Sequence, residues 1–447
     1  MGVGRAFVTG LGGLNAFSQA VGYISDNLAN VSTTGFKRVD ADFQSFTTRS
    51  TQRYHDPGGV TAVPVYRNAN GGQVVNSDNP TSFAVADGSG FAPVRNASNI
   101  VNGTATLSSS LQLYTRATDF SVDANGYLVN STGQFLMGLQ ETTYYGGATT
   151  IPGTPSLGNL VGVRVDPTIY KSLPGAASTT IDLNANFPAD VAAGATATSQ
   201  LQFYDSLGKA QTLDITYTKS AAAANTWDIT AVSVTGAPAG TTVTIGGAAV
   251  PVAGALDFTT AGALQTPANG QLSYDIAWPA TYGPTTPQSV VVDYGEAATA
   301  TQAATGSTQY SGTNLEVRSV GDQTGRSPGS FQKASMDKSG YVVFSYSNGQ
   351  QLSPYRIPLI SFSNPDKLQR VSGSTFSADD PNAGKPVARW SGEGDAGRII
   401  PSASEQSNVD IGEELTKMIV AQRAYSSNGK VISSADEMIQ EVLNLKR

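Results

Sequence analysis

Ser407-Asn408-Val409-Asp410-Ile411-Gly412-Glu413-Glu414-Leu415-Thr416-Lys417-Met418-Ile419-Val420 opens the longest amphipathic pattern in the chain. Ser407 and Asn408 are helix-capping residue types, and Asp410, Glu413 and Glu414 put negative charge at the positive end of a helix dipole. Beyond them Met418, Tyr425, Ile432 and Ile439 recur every seventh residue, flanked by Leu415, Ile419, Ala435 and Val442, with no proline to interrupt. Glu413 and Lys417 stand one turn apart in the favourable order. The spacing predicts a helix over about 409–445, roughly 55 Å long at 1.5 Å per residue.

The opposite end carries a matching pattern. Phe7, Leu14, Val21 and Leu28 also lie seven apart, with Leu11, Phe17 and Ile24 between them. This predicts a second helix with a coiled-coil-like seam. Gly10, Gly12, Gly13 and Gly22 lie inside it, each costing about 1 kcal/mol relative to Ala. Such a helix is marginal alone, and its glycines permit another backbone to come close. Two end helices that need each other, and neighbouring copies, fit better than two helices lying on their own core.

Between the ends the pattern is that of strands. Gln202-Phe203-Tyr204 and Asp214-Ile215-Thr216-Tyr217 alternate with period two and are joined by a hairpin at Asp205-Ser206-Leu207-Gly208. Asp123-Ala124-Asn125-Gly126 and Ser347-Asn348-Gly349 are further turns. Charged residues make up only 14% of the 447, against a usual share of about a quarter. Small neutral residues take their place. The block 142–309 holds 4 basic and 10 acidic residues, a net of −6 out of −7 for the whole chain, which marks it as a separate domain inserted in a discontinuous one. Its small-residue stretches at 190–199, 220–225 and 297–307 read as loops.

Several function classes are excluded. There is no basic face for nucleic acid or anionic lipid, no apolar run long enough to cross a bilayer, and no cysteine for disulfide or thiolate chemistry. The N-terminus lacks the continuous apolar stretch of a signal peptide. His55 is the only histidine, so a metal site or a His-based triad would need unusual ligands. Asp123-x-Asn125-Gly126 begins like a calcium loop but lacks the closing glutamate, and a β-turn is the better reading. Gly10-Leu11-Gly12-Gly13 follows no strand, so it is no dinucleotide-binding turn. No catalytic residue, cofactor or metal site is expected.

Two longer motifs carry a family resemblance. Ile24-Ser25-Asp26-Asn27-Leu28-Ala29-Asn30, followed by Thr34-Gly35-Phe36-Lys37, is similar to the N-terminal signature of the flagellar rod and hook axial proteins. Asn408-Val409-Asp410, continuing to Met418-Ile419-Val420-Ala421-Gln422-Arg423-Ala424-Tyr425, resembles their C-terminal signature. Inward, Gly88-Ser89-Gly90-Phe91, Tyr114-Thr115-Arg116 and Gly126-Tyr127-Leu128-Val129 resemble the β domain that rod and hook share, with Ala92-Pro93 and Thr118 departing from its pattern. Tyr204-Asp205-Ser206-Leu207-Gly208 resembles the outer domain of hook subunits, which rod subunits lack.

The resemblance implies a mainly β protein with α-helical termini. A terminal helical assembly domain (1–30 and 405–447) leads through an extended connector (31–75) to a discontinuous inner β domain (76–141 and 310–404), which carries an inserted outer β domain (142–309). The paired end helices would form an inner tube through Phe7, Leu14, Val21, Ile24, Leu28, Leu415, Met418, Tyr425, Ile432, Ile439 and Val442. The implied role is a non-enzymatic subunit that polymerises with its own kind into a curved, flexible tube, a universal joint for torque in swimming. Implied partners are a distal rod protein, a hook cap protein, a hook–filament junction protein and the flagellar type III export apparatus. The implied location is extracellular, in the hook and basal body, reached without a cleaved signal peptide. A distal rod subunit lacks the acidic block, and a secreted β-rich adhesin leaves both end signatures unexplained.

Overall fold

The computed structural model describes residues 2–46, 49–51, 54–56, 59–101, 104–107, 112–140, 153–165, 170–282, 287–296, 306–372 and 374–444. Most of them are strand or turn, and the two long helices lie at the ends: α1, Gly2–Ala29, and α2, Ile411–Asn444. The predicted cap of α2 is corrected. Asp410, rather than Ser407 or Asn408, caps it, its Oδ1 accepting from the Glu413 N–H at 2.9 Å.

The chain divides into two units, the first comprising 1–170, 332–345 and 351–447. Its outgoing and returning halves are stitched rung by rung. Val74–Asn76 pairs antiparallel with Ala403–Glu405, Phe83–Ala86 with Arg398–Pro401, and Leu113–Thr115 with Thr375–Ser377. Each rung joins residues far apart in sequence, so neither half folds without the other. Phe91, Tyr114, Ile360, Phe362, Leu368 and Phe376 form one of its cores. Phe91 meets Phe376 edge-on at 5.5 Å and Tyr114 meets Phe362 at 4.9 Å, the geometry that aromatic quadrupoles favour. The stretch expected as an extended connector holds an antiparallel pair, Val39–Ser45 with Val60–Tyr66, in register from Val39↔Tyr66 to Ser45↔Val60.

The second unit comprises 171–331 and 346–350, where composition drew the inserted block at 142–309. Charge content cannot see that Glu316–Gln323 pairs with Thr180–Pro188. A five-stranded sheet runs Thr196–Tyr204, Ala210–Lys219, Thr226–Thr235, Val252–Phe258, Leu264–Thr266. Alternate residues along its first two strands are buried, and they share a core with the unit's second sheet around Phe187, Trp227, Tyr274 and Tyr294. Burying each such aromatic contributes about 1.5–3 kcal/mol. Of the stretches expected as loops, 220–225 is one, 196–199 is strand, and 297–305 lies outside the described residues.

One turn device recurs in both units. In Asp123-x-x-Gly126, Asn130-x-x-Gly133, Asp205-x-x-Gly208 and Asp337-x-x-Gly340 the Oδ1 of the first residue accepts from the N–H groups two and four residues on. The glycine takes a positive φ, +82° at Gly126 and +77° at Gly208, which L side chains rarely adopt. Asp123 thus spends its carboxylate on its own turn. Among the described residues no cluster of three His, Cys, Asp or Glu could hold a metal ion.

Candidate assembly site

The helices α1 and α2 pack antiparallel, and small residues set their separation. A Cβ on Gly13 would lie 2.5 Å from Asn428 Oδ1, and one on Gly10 would lie 3.0 Å from Ile432 Cγ1. Asn428 is held in place by its own bond from Nδ2 to Ala424 O at 2.9 Å. Two of the glycines that weaken α1, Gly10 and Gly13, are thus the positions at which α2 crosses it. The buried face of α1 is Gly10, Gly13, Ala16, Ala20, Ile24 and Asn27; that of α2 includes Glu414, Ala421 and Ala435.

The predicted seam residues are distributed around this contact. Ile24 is buried in it; Leu14, Val21, Leu28, Met418 and Ile432 are half-buried. Phe7, Leu415, Tyr425 and Ile439 are exposed, at 40%, 44%, 46% and 39%. The side chain of Val442 lies outside the described residues, as does that of His55. The outward face of the pair also carries Val8, Leu11, Ile419, Val420, Val431 and Met438.

Where the helices meet the β domain, the signature residues build an anchor. Asn27 is fully buried and brackets Val39, donating to its carbonyl at 2.8 Å and accepting from its N–H at 2.9 Å, while also donating to Glu414 Oε2 at 2.9 Å. Ala29 ends α1, and Asn30 closes the helix by donating to Asp26 O at 2.9 Å. Thr34 O accepts from Ser374 Oγ at 2.9 Å. Gly35, at φ +67°, passes so close to Ala117 that a Cβ would sit 2.4 Å from its nitrogen. Phe36 is buried under the Arg370 guanidinium, 4.3 Å from the ring centre.

Lys37 is the centre of the anchor. It is fully buried, its Nζ bonded to Glu405 Oε1 and to Asn70 O. Arg116, equally buried, binds the other oxygen of Glu405 at 2.9 Å and donates to Gly88 O at 2.6 Å. Burial pulls Lys37 down to about 8 against the opposing pull of Glu405. Burial works to raise the Glu405 carboxyl, but Arg116, Lys37 and the Gly72 N–H together hold it below its ordinary value. Lys37 and Glu405 are therefore both charged at neutral pH. A buried triad of this kind loses heavily when one member is removed.

From the C-terminal side, Asn408 accepts from Arg38 N at 2.7 Å and donates to Arg67 O and Asn70 O, both at 3.1 Å. Val409 is buried, and Asp410 caps α2. Lys417 then gathers Asp40, Glu413 and Glu414 at 3.0, 2.9 and 3.1 Å. Burial lowers its affinity for a proton, and the carboxylates more than reverse this, raising it to about 12. Gln422 and Arg423, by contrast, are exposed on α2. Most of the signature thus fastens the helices to their own β domain, and its last two residues face outward. Glu405, Asp40, Arg370 and Asn428 escaped the sequence reading; Glu405 closes the short strand Ala403–Glu405 next to half-buried Ser404 and exposed Gln406, with no sequence pattern to mark it.

Three family models match: "Flagella basal body rod protein" over 7–37, "Flagellar basal body protein FlaE D2 domain" over 173–321, and "Flagellar basal body rod FlgEFG protein C-terminal" over 400–445. The flagellar hook protein FlgE of Rhizobium meliloti is 32% identical over 98% of both chains. That of Brucella abortus is 31% identical over 98% of both, and that of Escherichia coli is 27% identical over 99% of this chain and 100% of its own. The crystal structure of Helicobacter pylori flagellar hook protein FlgE2 superposes with a TM-score of 0.38 at 11% identity, covering 74% of this chain and 99% of that one. With curated relatives 31–32% identical over 98% of both chains, the chain belongs to the flagellar hook protein family.

Proposed function

We propose that this chain, a structural subunit of the flagellar hook, polymerises through the outward faces of α1 and α2 into a tube. The observation that carries this is the division of labour in the end helices. Their small-residue faces are spent on each other, and their bases are fixed to the β domain by Lys37, Glu405 and Arg116. Their large apolar residues, Phe7, Leu11, Leu415, Ile419, Tyr425 and Met438, remain exposed. Exposed large apolar side chains in that number on one helix pair signal association.

In this reading the role is mechanical and non-enzymatic. The tube links a distal rod protein to a hook–filament junction protein and grows beneath a hook cap protein. Its subunits leave the cell through the flagellar type III export apparatus. Among the described residues no helix is long and apolar enough to cross a membrane. The second unit presents few strong ionic contacts, and exposed pairs contribute only about 0–1 kcal/mol. Neighbours can therefore slide as the tube bends and passes torque. Electron microscopy of the purified, polymerised chain tests this: a curved tube is expected, a straight rod contradicts the universal-joint role, and the absence of any polymer contradicts the reading as a whole.

A further inference from the structure

Beside the helix pair, α1, the Val39–Ser45 strand and α2 enclose an open groove of about 570 Å³. Its floor is apolar: Phe17, Ala20, Phe43, Val420 and Ala421 line it, with Phe17 and Phe43 in ring contact at 4.9 Å. Phe43 and Val420 are 42% and 61% exposed. We propose that this groove receives the N-terminal tip of α1 from a second copy of the chain, a contact that rests on the polymerisation proposed above and specifies how it propagates.

Three observations select that occupant. First, the charges on the groove rim are already matched within the subunit: Arg38 with Glu413 at 2.7 Å, Arg67 with Asp40 at 2.8 Å, and Lys417 with Asp40 and Glu413. A neutral apolar guest fits such a rim better than a charged one. Second, the exposed face of α1 is apolar only at its start. Phe7, Val8 and Leu11 are the large apolar side chains exposed there, after which the exposed positions are Asn15, Ser18, Gln19, Gly22, Ser25, Asp26 and the small Ala29. The segment Gly2–Leu14 carries a single charged residue, Arg5. The far end of α2 offers Met438 and Ile439 amid Asp436, Glu437 and Glu441, a poorer match.

Third, the tip cannot reach its own groove. Val8 and Ala20 lie twelve residues apart on one continuous helix, roughly 18 Å at 1.5 Å per residue. The guest must come from another copy. A tip-into-groove contact joins unlike surfaces, and repeated it generates an open helical polymer wherever its rotation does not close into a ring.

The absence of native cysteine makes a clean test. Full-length Val8→Cys and Val420→Cys are mixed, polymerised and oxidised, then run on non-reducing gels. The expected result is a mixed disulfide dimer in the polymer, absent from the unpolymerised mixture and from either variant polymerised alone. Thr416→Cys, on the exposed rim, replaces Val420→Cys should that variant not assemble. Normal polymers without the mixed dimer overturn the proposal, as does Val420→Cys cross-linking to Met438→Cys instead. A wild-type chain that forms no polymer contradicts the assembly reading, a different outcome from either of these.

Discussion

Glu405 stands between two buried cations, so its removal leaves Lys37 and Arg116 facing each other without water or counter-charge. Breaking such a triad from one side costs about 3–5 kcal/mol. Glu405→Gln is therefore expected to lower monomer stability by about that amount in urea unfolding. The carboxyl titrates below its ordinary 4.5 in the folded chain. Its contribution is accordingly fully present above pH 4.5 and is lost as pH falls through the lower folded value, because the unfolded chain takes up that proton first. The urea midpoint of the wild type should drop below pH 4.5, and that of Glu405→Gln should change less across the same window. Little of this triad was legible in advance. Lys37 belongs to a recognisable motif, but its partner lies 368 residues away, and Arg116 lies 289 residues from that same acid. Only folding reveals which charges share a site.

At the scale of elements, the glycines of α1 separate into two kinds. A side chain on Gly13 collides with Asn428, whereas one on Gly22 meets nothing within 4 Å. Gly13→Leu should force the helices apart and abolish polymerisation while leaving thermal unfolding of the β units unchanged. Gly22→Ala should assemble normally and gain roughly 1 kcal/mol of helix stability, read as increased helical circular dichroism. Equal behaviour of the two variants would show that the crossing is not at Gly13. The helix α2 was readable because an acidic first turn, an unbroken period and the absence of proline agree. The Val39–Tyr66 pairing was not readable, because Pro64 stands within its second strand, opposite Ala41. Proline normally argues against a strand interior and is tolerated at sheet edges, and this sheet has only two strands.

For the whole molecule, the order of the ends and the outgoing and returning halves define what can be removed. The chain enters and leaves the second unit side by side: Ser172 pairs with Ser330, and Phe331 N–H bonds to Lys171 O at 3.0 Å. Replacing 171–331 by a short Gly/Ser bridge should therefore cost little in loop closure. Hooks built from that chain are expected to assemble but to be straighter in electron micrographs, with weaker swimming; unchanged curvature and motility would leave the second unit without a mechanical part. The central claim is that assembly covers helix faces which the subunit itself leaves open, while the anchor is complete in every copy. Hydrogen exchange on monomer and polymer measures this directly. The account predicts that Phe7–Leu14 and 411–444 gain protection in the polymer over the monomer, with 35–40 and 403–410 equally protected in both. Equal protection of the helices in monomer and polymer would contradict it.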